Sequence, residues 1–235
     1  MPTVFITGAN RGIGLELARQ YAADGWRVIA TCRAPARATG LNELAGAPNV
    51  RVVTLDVASG SSIESAQQAV AGVPIDVLIN NAGLFGPKAA AEKDPGQSFG
   101  SIRYEVLEEV WRTNTVAPLR LTEALIDNVA SSAQRKVITL SSGIASIAGT
   151  EGGLYAYRSS KAAVNMIMAT LAKDLASRGV HTLAVCPGWV RTRMGGESAP
   201  VAVQTSAKGI RARIADLNAS TSGQFRRYDG SLLAW

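Results

Sequence analysis

Tyr157 and Lys161 stand four residues apart in YAYRSSKAAVNMIMATLAKDL, a spacing that puts both on one face of a helix. Val164, Met168, Leu171 and Leu175 continue that face at steps of three and four, the pattern of a buried stripe. A core face should not begin with an ammonium group, because a low-dielectric site disfavours its charge. The placement predicts a cation set into the wall of a cleft, beside a phenol whose ordinary pKa is about 10. A cation nearby favours the phenolate, so the two side chains could work as an acid/base pair. Alone, they are also compatible with a snorkelling lysine and a half-buried tyrosine on an ordinary helix.

The elements that must position this pair alternate along the chain. TVFIT, RVIAT, VRVVTL, IDVLIN, KVITL and HTLAV are six compact β-branched runs, the composition of parallel strands buried on both faces. Helical patterns lie between them, from Gly12 to Asp24, Ser61 to Ala71, about Tyr104 to Val129 and about Tyr157 to Arg178. Strand and helix in repeated alternation predict an α/β fold, a Rossmann-type doubly wound parallel sheet with helices on both faces. Gln224 to Tyr228 would add a seventh strand. Two segments fit neither pattern, Gly86 to Gly100 and Arg191 to Thr205. Both follow expected strands, so they belong over the carboxyl edge of the sheet, where such folds bind ligands.

Composition restricts the function classes. The 235 residues are 47% hydrophobic and 18% charged, which reads as a single soluble domain spanning 1–235. The chain begins MPTVFITG with no basic segment ahead of a long apolar run, so neither a leader nor a membrane span is expected and a cytoplasmic protein fits. Cys32 and Cys186 lack metal or redox spacing and read as reduced, structural residues, with no metal site. The formal charge of +6 comes from scattered arginines without a basic stripe, which argues against nucleic acid.

TGANRGIG carries the second chemical signal, with Gly8, Gly12 and Gly14 following the first strand and opening the first helix. Such a loop lets a phosphate approach the free N–H groups and positive end of the helix. The end of the second strand selects between dinucleotides, an acid there favouring NAD and an arginine favouring NADP. Here RVIATCRAP places Cys32 at the acid's position and Arg33 after it, with Arg11 in the glycine loop as a second cation. Asp24 precedes the strand and is no substitute. The expected cofactor is NADP(H).

TGANRGIG, the NNAG of Asn80 to Gly83, Asn114, Ser141 and Ser142, YRSSK and the PGWVRT of Pro187 to Thr192 together resemble the short-chain dehydrogenase/reductase family over essentially the whole chain. LINNAGLFGP, RTNTVAPLRLTEAL, SSGIASIAG and the closing SGQFRRYDGSLLAW are similar to its C-factor and sniffer-like carbonyl reductase branch. The resemblance implies that Tyr157 is the general acid protonating a carbonyl oxygen, that Lys161 holds the nicotinamide ribose and lowers the tyrosine pKa, and that Ser142 holds the substrate oxygen. Asn114 would keep its helix opened around a water leading from Lys161, and Pro118 agrees with a kink there. The implied cofactor contacts are Gly8, Asn10, Arg11, Gly12, Ile13 and Gly14 in the first loop, then Arg33, Asp56 and Val57, then Asn81, Ala82 and Gly83, and last Pro187, Gly188, Val190 and Thr192, with Tyr157 and Lys161. For Asp56, a turn carboxylate is the competing role.

Ser142 precedes Tyr157 by fifteen residues, more than in many relatives, and the glycine-rich stretch between has to absorb the difference. Ser141 is the alternative. His181 starts a strand far from these residues and has no expected catalytic part. The functional expectation is an NADPH-dependent reductase of an aldehyde or ketone, reversible toward the alcohol. The alternative is a dinucleotide-binding signalling protein of C-factor type. Relatives commonly pair through the helices that carry Asn114 and Tyr157, so a homodimer or homotetramer is the default.

Overall fold

The computed structural model describes residues 1–87 and 96–235. Seven strands form one sheet in the order β3-β2-β1-β4-β5-β6-β7: β1 (Thr3–Ile6), β2 (Arg27–Cys32), β3 (Val50–Thr54), β4 (Val77–Asn80), β5 (Lys136–Leu140), β6 (His181–Cys186) and β7 (Gln224–Arg227). Every pairing is parallel. The helices are α1 (Gly12–Ala23), α2 (Thr39–Leu44), α3 (Gly60–Ala69), α4 (Tyr104–Trp111), α5 (Ala117–Ala130), α6 (Tyr155–Asp174) and α7 (Val203–Ala215).

The inner strands β1, β2, β4, β5 and β6 divide their side chains between two cores, which is why they read as compact apolar runs. Val4 and Ile6 of β1 and Val77 and Ile79 of β4 face one core, while Phe5 and Leu78 face the other. Leu17 and Tyr21 of α1, Leu41 of α2 and Ile210 and Ile214 of α7 cover the first face. Ile63 of α3, Leu121 and Leu125 of α5 and Met168 of α6 cover the second. The sheet is thus doubly wound, in the Rossmann manner.

Two helices exceed the sequence expectation. The α7 residues Ala207, Ile210 and Ile214 are buried at helical spacing, and the parallel pairing of β6 with β7 requires a crossover there. The short α2 occupies the β2 to β3 connection, and its one buried residue, Leu41, is too little pattern to read from sequence. The helix expected from Tyr104 to Val129 is present as α4 and α5, joined by a π-helical turn over Arg112–Val116. Of the irregular segment from Gly86 to Gly100, residues 88–95 lie outside the described residues. Among the described residues no helix is long and apolar enough to cross a membrane.

Strand order reverses between β1 and β4. Chain leaving β1 builds toward β3, and chain leaving β4 builds toward β7, so the connections diverge and leave a crevice at the carboxyl ends of these two strands. The glycine loop and the Asn81 to Gly83 segment flank that crevice.

Candidate active site

The loop after β1 is bound to the loop after β4 by one hydroxyl. Thr7 Oγ1 accepts the N–H groups of Asn81 and Ala82 at 3.0 and 2.9 Å, and Asn81 Nδ2 returns a bond to the Thr7 carbonyl at 2.7 Å. Gly8 and Gly12 turn through left-handed φ angles of 64° and 56°, where glycine has no penalty. At Gly14 a Cβ would lie 2.4 Å from Asn81 Nδ2 and 2.5 Å from the Gly8 carbonyl, so only glycine permits this closure. Helix α1 then begins after Arg11 with no side-chain cap and no acid in its first turn. Its leading N–H groups, from Gly12, Ile13 and Gly14, are donors suited to a phosphate. Asn10 lies in the same turn. Sequence reading passed over Thr7, whose signal was its place between strand and glycine loop.

At the end of β2 the Cys32 side chain is buried in the core, while Arg33 and Arg11 are exposed. Among the described residues neither guanidinium has an ion pair or hydrogen bond. Asp24 is paired instead with Arg211, at the far end of α1. Asp56 accepts the Ala58 N–H at 3.0 Å, the turn-carboxylate role, which leaves its other oxygen available. Val57 packs on the second core.

Burial organises the other wall. Within the π turn, Ala117 N–H bonds to the Arg112 carbonyl five residues back. Pro118, at the start of α5, has no N–H to offer the Asn114 carbonyl four residues earlier, and this loss favours the wider turn. The fully buried Asn114 pairs with the Leu84 backbone in both directions at 2.8 Å and donates to Ser160 Oγ at 3.0 Å. A Cβ on Gly83 would stand 3.2 Å from Asn114 Oδ1 and 3.5 Å from Lys161 Nζ, so the segment after β4 touches both residues. Asn80 faces inward and bonds Thr122 and Thr139, steadying the sheet.

Tyr157 and Lys161 are on the buried face of α6, with Val164 and Met168 continuing it. They are 8% and 5% exposed, so the ordinary snorkelling alternative does not describe them. Lys161 Nζ donates to the Leu140 carbonyl at the end of β5 at 2.7 Å and lies 6.0 Å from the Tyr157 ring centroid. Burial lowers the lysine pKa to about 8. It also pushes the phenol up to about 12, opposed by Ser142, which lowers it, and reinforced by the neighbouring Cys186, which raises it. This differs from the expectation that Lys161 lowers the phenol pKa. Desolvation acts on both groups, and the ammonium is held by Leu140.

The two serines diverge. Ser141 is buried and its hydroxyl points to the Lys161 carbonyl at 3.5 Å, whereas Ser142 is extended and partly exposed and acts on the Tyr157 phenol, whose pKa it lowers. The longer spacing is absorbed by Gly152, Gly153 and Leu154, three successive left-handed residues at φ 80°, 65° and 50°. Cys186, read from sequence as structural, is buried beside this group at the end of β6. Pro187 and Gly188 follow, the Pro187 carbonyl accepting the Ser206 hydroxyl at 2.7 Å. Val190 bridges to Val201, and Thr192 Cγ2 comes within 3.4 Å of where a Gly12 Cβ would be, closing the crevice from the β6 side. An open depression of about 490 Å³ lies there, lined by Arg191, Thr192, Arg193, Gly196 and Glu197. His181 starts β6 opposite Lys136, at the other edge of the sheet.

The profile of the short chain dehydrogenase family matches residues 2–201. The chain is 38% identical over 163 residues to the C-signal protein of Myxococcus xanthus, covering 69% of this chain and 93% of that one. The carbonyl reductase Sniffer of D. melanogaster superposes with a TM-score of 0.88 at 33% identity over 100% of both chains. The NADPH-bound carbonyl reductase from chicken fatty liver superposes with a TM-score of 0.89, also at 33% identity, over 100% of this chain and 99% of its own. A glycine loop at the switch point and a buried tyrosine and lysine across from it occur here in a chain that matches the family profile almost from its first residue, and the protein belongs to the short-chain dehydrogenase family of oxidoreductases.

Proposed function

We propose that the protein is an NADPH-dependent reductase of aldehydes or ketones, working reversibly, with Tyr157 as the proton donor. The observation that carries this reading is the buried Tyr157 phenol, neighboured by Ser142 and by Lys161, with Lys161 against the Gly83 segment that flanks the crevice. The uncapped first turn of α1 would hold the pyrophosphate of the dinucleotide. Arg33 and Arg11 would take the additional phosphate that distinguishes NADPH, and Cys32 offers no carboxylate to the ribose of NADH. The NADPH-bound chicken relative agrees with that choice. Lys161 would hold the nicotinamide ribose, and Val190 and Thr192 the carboxamide.

When bound, the nicotinamide would supply the hydride that reduces the carbonyl carbon. As negative charge grows on the substrate oxygen, Tyr157 gives up its phenolic proton and Ser142 donates a hydrogen bond to the same atom. A phenol raised to about 12 remains protonated throughout the neutral range, so the donor form is always present. The difficulty is the phenolate left behind, and the Lys161 ammonium, present below about pH 8, stabilises it. Asn114 holds the segment after β4 against α6, and the open turn around it leaves room for water that restores the proton.

A panel of aldehydes and ketones followed by NADPH absorbance tests the proposal. Turnover that vanishes in Tyr157→Phe supports it, and a panel with no NADPH oxidation by the unmodified protein sinks it. The likeness to C-signal favours a second reading, a dinucleotide-binding signalling protein. That reading gains if NADPH binds and no carbonyl is reduced.

A further inference from the structure

We propose that Gln97 is a positioning residue for the proton donor, fixing the first turn of α6, and with it Tyr157, to the wall formed by Phe85. This rests on the reading of Tyr157 as the acid. The need arises at the entry to α6. Leu154 precedes the helix at φ 50° with no side-chain cap, a conformation that a leucine rarely adopts unless its surroundings enforce it. The leading N–H groups of a helix require partners, and no local Ser, Thr, Asp or Asn supplies them here.

Gln97 supplies them from across the site. Its backbone carbonyl accepts the Tyr155 N–H at 3.0 Å, and its Oε1 accepts the Tyr157 N–H at 2.9 Å. Its Nε2 donates to the Phe85 carbonyl at 2.7 Å. The residue is 0% exposed, and one partner donates while the other accepts, so the orientation of the amide is determined by its bonds. Gly86 makes room for it: at φ 99° its missing Cβ would lie 2.7 Å from Nε2. The Phe85 ring in turn packs on the Tyr157 ring, with centroids 4.8 Å apart. One side chain therefore sets both the backbone that carries the acid and the ring that holds the phenol's plane. Removing it leaves the α6 fold to its core contacts with Val164 and Met168 but frees the turn on which Tyr157 sits.

The test compares Gln97→Ala, Gln97→Glu and Tyr157→Phe on the best panel substrate with NADPH. In Gln97→Ala, kcat should fall about 100-fold, the loss that a misplacement of about 1 Å produces, while NADPH affinity measured by tryptophan fluorescence is unchanged. In Gln97→Glu a protonated carboxyl keeps both bonds, accepting from Tyr157 N–H and donating to the Phe85 carbonyl, and a carboxylate cannot donate. Its kcat, as a ratio to the unmodified protein, should therefore approach one at the acid end and decline as the carboxyl ionises, between about pH 5 and pH 8 once burial has raised it. Wild-type kcat in Gln97→Ala, or a Gln97→Glu ratio that does not change with pH, overturns the inference. If Gln97→Ala does not fold, the Gln97→Glu profile decides alone. An inactive Tyr157→Phe beside a fully active Gln97→Ala defeats only this inference, whereas an active Tyr157→Phe defeats the proposed function first.

Discussion

On the α6 side of the crevice Asn114, Tyr157 and Lys161 are buried and bonded to the protein, whereas on the β2 side Arg11 and Arg33 are exposed and, among the described residues, without partners. The first arrangement orients donors in advance, so that little reorganisation is left for the moment of reaction. It also carries a penalty, visible in a lysine lowered to about 8 and a phenol raised to about 12. The second arrangement avoids that desolvation, because exposed guanidiniums remain hydrated until an anion arrives. In the proposed function, chemistry falls to the buried, bonded side and recognition of charge to the exposed, hydrated one. Substitutions on the two sides should therefore fail differently.

The largest expected effect is that of Tyr157→Phe, which removes one hydroxyl from the buried side. Turnover should drop about 100- to 10,000-fold, with NADPH affinity and melting temperature close to the unmodified values. Near-normal steady-state reduction by this variant would remove the α6 side from the chemistry altogether.

Lys161→Met sharpens the comparison because stability and rate should move in opposite directions. The unfolded lysine titrates at about 10.4 and the folded one at about 8. Between those values the unfolded chain binds more protons, so this group makes stability rise with pH. Below about 8 its burial penalty is fully present. The variant should lose turnover yet melt higher than the unmodified protein at neutral pH, and denaturant melts at several pH values should show the rise diminished. A lower melting temperature at neutral pH would mean that Lys161 is a stabilising ion after all. In the unmodified protein, NADPH affinity should decrease above about pH 8, where the ammonium is lost.

On the exposed side, Arg33→Ser should lower the preference for NADPH over NADH by roughly 10- to 100-fold, the range of one charge-assisted bond, and leave kcat with the preferred cofactor little changed. Equal efficiency of the unmodified protein with both cofactors would contradict the role given to Arg33. The smallest expected effect belongs to Ser141→Ala, whose long bond to the Lys161 carbonyl predicts a change of about twofold at most, against roughly 100-fold for Ser142→Ala. Equal losses in the two variants would reopen the choice between the serines.

Legibility followed periodicity. All seven strands and the buried α6 face could be read because each element repeats a simple pattern, and the parallel order follows from the alternation. Tyr157, Lys161 and the glycine loop stood out as residue types at characteristic spacings, whereas Asn114 stood out only through the family resemblance. What escaped were bonds between segments far apart in the chain. Thr7 and Gln97 are ordinary polar residues in sequence, and their importance depends on Asn81 being 74 positions away and Tyr157 60 positions away. The elevated phenol pKa was missed for a related reason, since adjacency to a cation is visible in a helix repeat and depth of burial is not. Helix α7 was hidden because small and charged residues, KGIRAR, interrupt its stripe.

The π turn between α4 and α5 has a consequence for chain length. A widened turn accommodates one residue more than a regular helix of the same span, with the elements on either side left in place. Deleting one residue from Arg112–Val116 would let α4 run into α5 without interruption, Val110 and Leu121 still facing inward. We expect the shortened helix to be sounder as a helix, while the Asn114 amide would no longer reach Leu84 and Ser160. A screen that rewards melting temperature would therefore favour the deletion, and only an assay of turnover would reveal what the extra residue was for.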